Sequence, residues 1–372
     1  MSVYNLIKDE LVEIYGTLGT SLTEAYDIDG VEVFNGSDTP TPTDKYARIL
    51  NWSISAGGWQ ENADAQYQTF KTALEEAGEN AIPMFISTDP HGGGAMSEHR
   101  WFHNHNVTDK LEALNIDLGD ICVDTYQPSI LSNMDLQTQW VRNFFAVGGN
   151  HDVKFGDIEP TTSTLRQYFA RANCFECVPT MLDTSACYVV YDDIHNIKFV
   201  AMDAYTRVGE GYTMPHPYIT STVMTWLINV MSSNDGYNII FITHEPFAGA
   251  TYANYDLSSP PSVTATGGTS TYSQAGCVWN LLKARKNKRS GTITDDEGTS
   301  HNYDFTNCTD DLIVSLQGHT HALRYAREDN ITSISFNRYY LVNLVIIDKD
   351  DSVLRLFMTH YNGNYNEVDF PI

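Results

Sequence analysis

The sequence predicts a layered α/β domain whose strands are covered on both faces. Three observations predict it. Apolar runs of strand length recur, among them "IPMFIS", "IKFVAM", "YNIIFIT" and "LIVSLQ", and they are continuous rather than alternating. That is the pattern of strands buried on both sides. Segments of helical period fall between them. Each run then closes on Gly, Asp, Asn or His, so the polar groups collect at strand ends.

The elements follow in order. "NLIKDELVEIYG" places Leu6, Leu11 and Ile14 at helical spacing and stops at Gly16. "AYDIDGVEVF" reads as two short strands about Asp29-Gly30, a hairpin signal. "NGSDTPTPTDK" reads as a linker. Residues 1–45 are therefore expected to form a small helix and hairpin module, and residues 46–372 the main domain. The module reads either as an extension packed on that domain or as an attachment element for a larger assembly.

"ENADAQYQTFKTALEEAGENA" (61–81) is amphipathic and predicts a helix. Strands are expected at 82–88, 114–119, 143–148, 197–205, 237–243 and 312–317, with a helix at 221–233. Residues 338–361 read as a hairpin about Asp350-Asp351 that widens or backs the sheet. Between 247 and 310 the composition turns to Ser, Thr, Gly and Pro, which predicts a long irregular insertion. Within it "VWNLLKARKNKRS" reads as a helix. Its Lys283, Arg285, Lys286, Lys288 and Arg289 read as a solvated helix end that offsets the dipole.

The 372 residues carry a net charge of −25, and 42% are apolar. That is enough for a sizeable core, and the acidity argues against non-specific nucleic-acid binding, which needs Lys and Arg against phosphate. No apolar stretch reaches the length of a membrane span. The first residues lack the basic and apolar regions of a secretory signal, so a cytoplasmic or virion-associated location is expected. Six cysteines in a chain this long do not make a disulfide framework. Cys174 and Cys177 read as reduced thiols or a local redox pair.

The strand ends carry the chemistry. They close on Asp89 and His91, on Asp120, on Asn150, His151 and Asp152, on His244, and on His319 and His321. In open α/β sheets, sites form beyond the carboxyl ends of the strands. Carboxylates and imidazoles without thiolates suit zinc, manganese or iron. Asp120 has two oxygens and can bridge two cations. His319 and His321, one residue apart, are expected on the same side of an extended segment. Each could serve one metal of a pair.

Together "DPH", "GD", "GNHD", "THEP" and "GHTH" resemble the motifs of the calcineurin-like metallophosphoesterases, over about residues 82–325. The resemblance implies a four-layer β-sandwich flanked by helices, its two sheets meeting at the metal edge. It implies that Asp89, His91, Asp120 and His321 bind a first metal, and that Asp120, Asn150, His244 and His319 bind a second. His151 would face the substrate and either protonate the leaving group or stabilise the phosphoryl oxygens. The implied reaction is hydrolysis of a phosphate ester, diester ahead of monoester. Two cations would neutralise the phosphoryl charge and supply hydroxide from a bound water near neutral pH.

One departure stands out. Relatives carry "GDxxD", whereas "GDICVD" puts Val123 at the second position and moves the acid to Asp124. Either Asp152 orients His151, or His151 acts without a fixed partner. Nearby, "SEHRWFHNHN" offers Arg100, His99 and His103 as substrate contacts or as an ordinary surface loop. Expected substrates are small or polymeric phosphate esters. Two other functions compete. One is an accessory protein of a phage tail or cell surface, attached through residues 1–45 and acting on envelope phosphodiesters. The other is a metal-bound binding module without catalysis.

Overall fold

The computed structural model describes residues 24–26, 32–35, 59–89, 91, 107, 109–120, 144–152, 180–181, 186–205, 217–256, 262–269, 275–336, 341–360 and 365–372. The chain divides into two units, Met1–Gly57 and Gly58–Ile372. In the first, β1 (Glu24–Tyr26) pairs antiparallel with β2 (Glu32–Asn35), the hairpin that Asp29-Gly30 signals. The helix expected at 5–16 and, beyond Asn35, the linker expected at 35–45 lie outside the described residues.

The second unit opens on α1 (Trp59–Ala77). This helix stops short of the expected 81, because Gly78 takes a φ of 81° and forms the left-handed end that helices favour. Then come β3 (Ile82–Ser87), β4 (Leu114–Asp117), β5 (Phe144–Ala146), β6 (Thr180–Met181), β7 (Tyr188–Asp192) and β8 (Ile197–Met202). They are followed by α2 (Ser221–Ser232), β9 (Asn238–Thr243), β10 (Thr251–Asp256), β11 (Ser262–Thr269) and α3 (Gly276–Lys286). The chain continues through β12 (Ser290–Thr294), β13 (Ser300–Asp304), β14 (Leu312–Gln317), β15 (Arg324–Glu328) and β16 (Ile331–Ser335). It ends with β17 (Leu341–Asp348), β18 (Val353–His360) and β19 (Tyr365–Pro371).

The architecture is mixed α/β with two large sheets. One runs β19-β18-β17-β3-β4-β5, the other β11-β10-β15-β16-β14-β9-β8-β7-β6. The β3-β4-β5 ladder is parallel, and so is β8-β9-β14-β16. These are the strands that deliver the site. Every residue of β3 and of β14 is buried, as their continuous apolar runs predict.

Period-two alternation sorts the side chains. Ile86, Ile116 and Val345 of the six-stranded sheet share one core with Val190, Phe199, Ile240 and Val314 of the nine-stranded sheet. On the opposite face of the latter, Val200, Ile239 and Phe241 pack against Leu227 and Met231 of α2 and Trp279 and Leu282 of α3. Phe70 of α1 meets Phe357 of β18 edge-on at 5.7 Å. Among the described residues, no helix is long and apolar enough to cross a membrane.

Two expectations need correction. The region from 247 to 310 is not irregular throughout. β10 and β11 form an antiparallel hairpin, and β10 joins the nine-stranded sheet through Ala253 opposite Tyr325. Thr251, Val263, Thr264 and Thr266 are β-branched and favour extended backbone, a preference masked by the Ser and Gly around them. Farther on, β12 and β13 make a second hairpin.

Arg285 is the other correction. It is fully buried instead of solvated, and it donates from Nε to the Met231 carbonyl and from Nη2 to the Asp310 carbonyl, both at 2.7 Å. Its neighbours do behave as surface charges: Lys286 pairs with Asp311 at 3.0 Å and Arg289 with Asp329 at 3.3 Å. Arg285→Ala would strand two buried carbonyls and leave a void. It is expected to lower the urea unfolding free energy by about 3 kcal/mol, against little change for Arg289→Ala.

Candidate metal centre

The residues after β3, β4, β5, β9 and β14 are laced together by their backbones. Asp89 N donates to Gly119 O at 2.9 Å and His91 N to Asp120 O at 2.9 Å. Gly318 N donates to His244 O at 3.0 Å. Across the two sheets, His319 N donates to Asp89 Oδ2 at 3.0 Å, and His244 Nδ1 donates to Leu118 O. Two glycines allow the approach. A Cβ on Gly149 would overlap Asp120, and one on Gly318 would overlap Thr88.

The backbone here is strained. Asp89, His91, Asp120, His319 and His321 have φ of 51°, 45°, 57°, 66° and 52°. Left-handed backbone is uncommon for residues other than glycine and costs about 1–2 kcal/mol each. This corrects the reading of "GHTH". β14 ends at Gln317, and His319 and His321 lie on a bend beyond it, so strand alternation does not set their directions.

The bend sends them to different partners. His321 Nε2 is 3.1 Å from Asp89 Oδ1 and 3.1 Å from His91 Nε2. His319 Nδ1 is 3.0 Å from Asn150 Oδ1. Asp120 lies between the two groups. Its Oδ1 accepts the His151 main-chain N–H at 2.8 Å. Its Oδ2 is 3.1 Å from His244 Nε2 and 4.0 Å from His91 Nε2.

Three overlapping groups of the described residues could hold a metal ion: Asp89, His91 and His321; His91, Asp120 and His151; and Asp120, His244 and His319. The donors fit a cation on physical grounds. Asp89 Oδ1 and His244 Nε2 are buried, and their 3.1 Å neighbours, His321 Nε2 and Asp120 Oδ2, do not meet them with hydrogen-bond geometry; a buried polar atom left so costs about 1–3 kcal/mol unless something satisfies it. With Nδ1 of His244 committed to the Leu118 carbonyl, Nε2 is the nitrogen left to face inward, the arrangement usual for a metal-bound histidine.

The electrostatics agree. Burial opposes ionisation of Asp89, but His321 and the charge of His244 outweigh it and hold the carboxyl below its usual range. Burial likewise opposes ionisation of Asp120, and His244 outweighs it there too. Burial, with the charge of His244 beside it, pushes His319 down to about 4, and burial also lowers His91. Burial opposes protonation of His244, but Asp120 and Asp89 outweigh it and hold that imidazole well above its usual range; ionised carboxylates and neutral imidazoles are the forms that bind metal, so a cation at Nε2 would take the place of that proton.

No family model matches the chain, and no curated protein matches it. Among solved structures it is similar to GAP50, the anchor in the inner membrane complex of Plasmodium. There the TM-score is 0.46 and the identity 9%, over 78% of this chain and 89% of that one. It is also similar to the phosphopantetheinyl hydrolase of Mycobacterium tuberculosis, with a TM-score of 0.38 and 12% identity over 70% and 91% of the two chains. A predicted phosphoesterase of Streptococcus pneumoniae gives a TM-score of 0.30 and 11% identity over 78% and 97%. These likenesses are distant, and the chemistry of the site rests on its own donor set.

Of the residues singled out from the sequence, Asp89, His91, Asp120, Asn150, His151, His244, His319 and His321 come together. His151 stands perpendicular to His91, with ring centres 4.5 Å apart. Asp152 is buried behind them. Its Oδ2 accepts the main-chain N–H of Asp120 at 2.8 Å and of Gly149 at 2.9 Å, tying the residues after β4 to those after β5. Arg100, His99, His103, Val123, Asp124, Cys174 and Cys177 lie outside the described residues. Cys277 and Cys308 are free thiols.

Sequence reasoning passed over Glu245 and Tyr205. Both are buried, and the Tyr205 hydroxyl donates to Glu245 Oε1. Burial pushes the Glu245 carboxyl up to about 7. Glu245 sits inside "THEP", but nothing in that string separates a buried carboxylate from a surface one. Tyr205 lies some forty positions upstream and carries no local signal at all.

Proposed function

We propose that this chain is a calcineurin-like metallophosphoesterase that hydrolyses phosphate esters with two bound cations, diesters ahead of monoesters. The observation that carries this reading is the place of Asp120 between two donor groups, with Oδ2 facing His244 and His91. In this proposal Asp89, His91, Asp120 and His321 hold one ion, and Asp120, Asn150, His244 and His319 hold the other. Two sheets that share one core, with α2 and α3 against the outer face of the nine-stranded one, support the four-layer arrangement proposed for this chain. Manganese, zinc and iron all suit the donor set.

When bound, the cations neutralise the phosphoryl charge and lower the pKa of water at the site. The protein does the rest. Asp120 fixes the His151 main chain through Oδ1, so the residue that presents the imidazole is anchored to the centre. His151 donates a proton to the leaving oxygen, or a hydrogen bond to the phosphoryl group. Asp152 holds the Asp120 and Gly149 amides and so fixes the frame from which His151 projects. A diester carries one negative charge where a monoester carries two, the better match to a chain of net charge −25.

Initial rates on bis-p-nitrophenyl phosphate and p-nitrophenyl phosphate with manganese test this. Both are expected to be hydrolysed, the diester faster. Chelation is expected to stop the reaction and added manganese to restore it. A protein that carries metal and hydrolyses neither ester would overturn the reading.

A further inference from the structure

Resting on that reading, we propose that Glu245 is a positioning residue that sets which ring nitrogen of His319 carries the proton. The imidazole of His319 lies between two acceptors. Its Nδ1 is 3.0 Å from Asn150 Oδ1, and its Nε2 is 3.5 Å from Glu245 Oε2. A neutral imidazole has a single N–H, so it serves only one of them.

The two choices have opposite consequences. With the proton on Nδ1, the N–H points at Asn150 and that nitrogen cannot bind a cation. With the proton on Nε2, it points at Glu245. The Nδ1 lone pair then stands beside the Asn150 oxygen, as two donors to one ion do. A carboxylate outcompetes an amide oxygen as an acceptor.

Glu245 is held for this task. It is buried, and its Oε1 is occupied by the Tyr205 hydroxyl. Oε2, on the side of His319, has no hydrogen-bond partner. The 3.5 Å separation is of the kind that tightens once a site is assembled. A carboxylate behind a ligating histidine also raises the basicity of the nitrogen that faces the metal.

Long-range proton–nitrogen NMR on metal-free, full-length protein with nitrogen-labelled histidine reads the proton directly, His319 being assigned with His319→Gln. The wild type is expected to show the Nε2–H form. Glu245→Ala is expected to shift it to Nδ1–H, and Glu245→Gln, whose amide oxygen competes with that of Asn150 on equal terms, to give a mixture of the two forms. In calorimetric titration with manganese, Glu245→Ala should weaken one of two binding events by about 10–100-fold and spare the other. Glu245→Gln should fall between the alanine variant and the wild type.

A wild-type His319 protonated on Nδ1 would overturn the proposal, and so would a folded Glu245→Ala with an unchanged proton position and unchanged affinity. The wild-type spectrum decides even where the alanine variant does not fold. The functional reading fails separately: a protein with the Nε2–H form and bound manganese that cleaves no ester keeps this inference and loses that one.

Discussion

Asp120→Asn is expected to abolish ester hydrolysis while the fold survives. Oδ1 accepts the His151 amide, and Oδ2 faces the His244 and His91 nitrogens. Every one of these places calls for an acceptor. Asparagine brings an NH2 group to one side whichever way it is turned, and it removes a charge that both proposed ions share. A loss of several kcal/mol of stabilisation corresponds to a rate on the order of 10³-fold lower. Metal content by plasma mass spectrometry, diester rates and a thermal melt measured together check it. A variant with two bound ions and an undiminished rate would remove Asp120 from its bridging place.

His151→Gln is expected to discriminate between leaving groups. p-Nitrophenolate is a stable anion and departs with little help, so its esters should lose little rate. Alkyl phosphodiesters need a proton on the departing oxygen, and for them kcat should fall by ~10²–10⁴-fold. Both rates would be measured at saturating manganese. Equal losses on the two substrates would instead place His151 in metal binding, alongside His91 and Asp120.

Strands and the polar residues that close them were legible for the same reason. β14 was readable at both ends because "LIVSLQ" is mostly apolar and stops on Gly318. The turn at Asp350-Asp351 was readable because a long apolar strand flanks it on each side, and Leu341 does pair with His360. β10 and β11 were obscured, since Thr, Ser and Gly composition describes a loop and an edge hairpin equally well. Arg285 was misread because its burial comes from the Met231 and Asp310 carbonyls, far away in sequence.

The site divides in the same way. Each predicted ligand follows an apolar run, so residue type and place were both visible. The turns that aim His319 and His321 were not, because no periodicity applies where φ is positive. Glu245 was hidden for a third reason: its role depends on Tyr205 and His319, which only the tertiary fold brings to it.

The five left-handed residues set thermal selection against chemical selection. Glycine at position 89, 91, 120, 319 or 321 would relax the main chain, so a screen for heat tolerance alone would favour it there. Each such gain would delete one donor. Laboratory evolution of this protein toward robustness should therefore stall at these places if turnover is scored as well. If turnover is not scored, it should drift toward a hardier and inert scaffold.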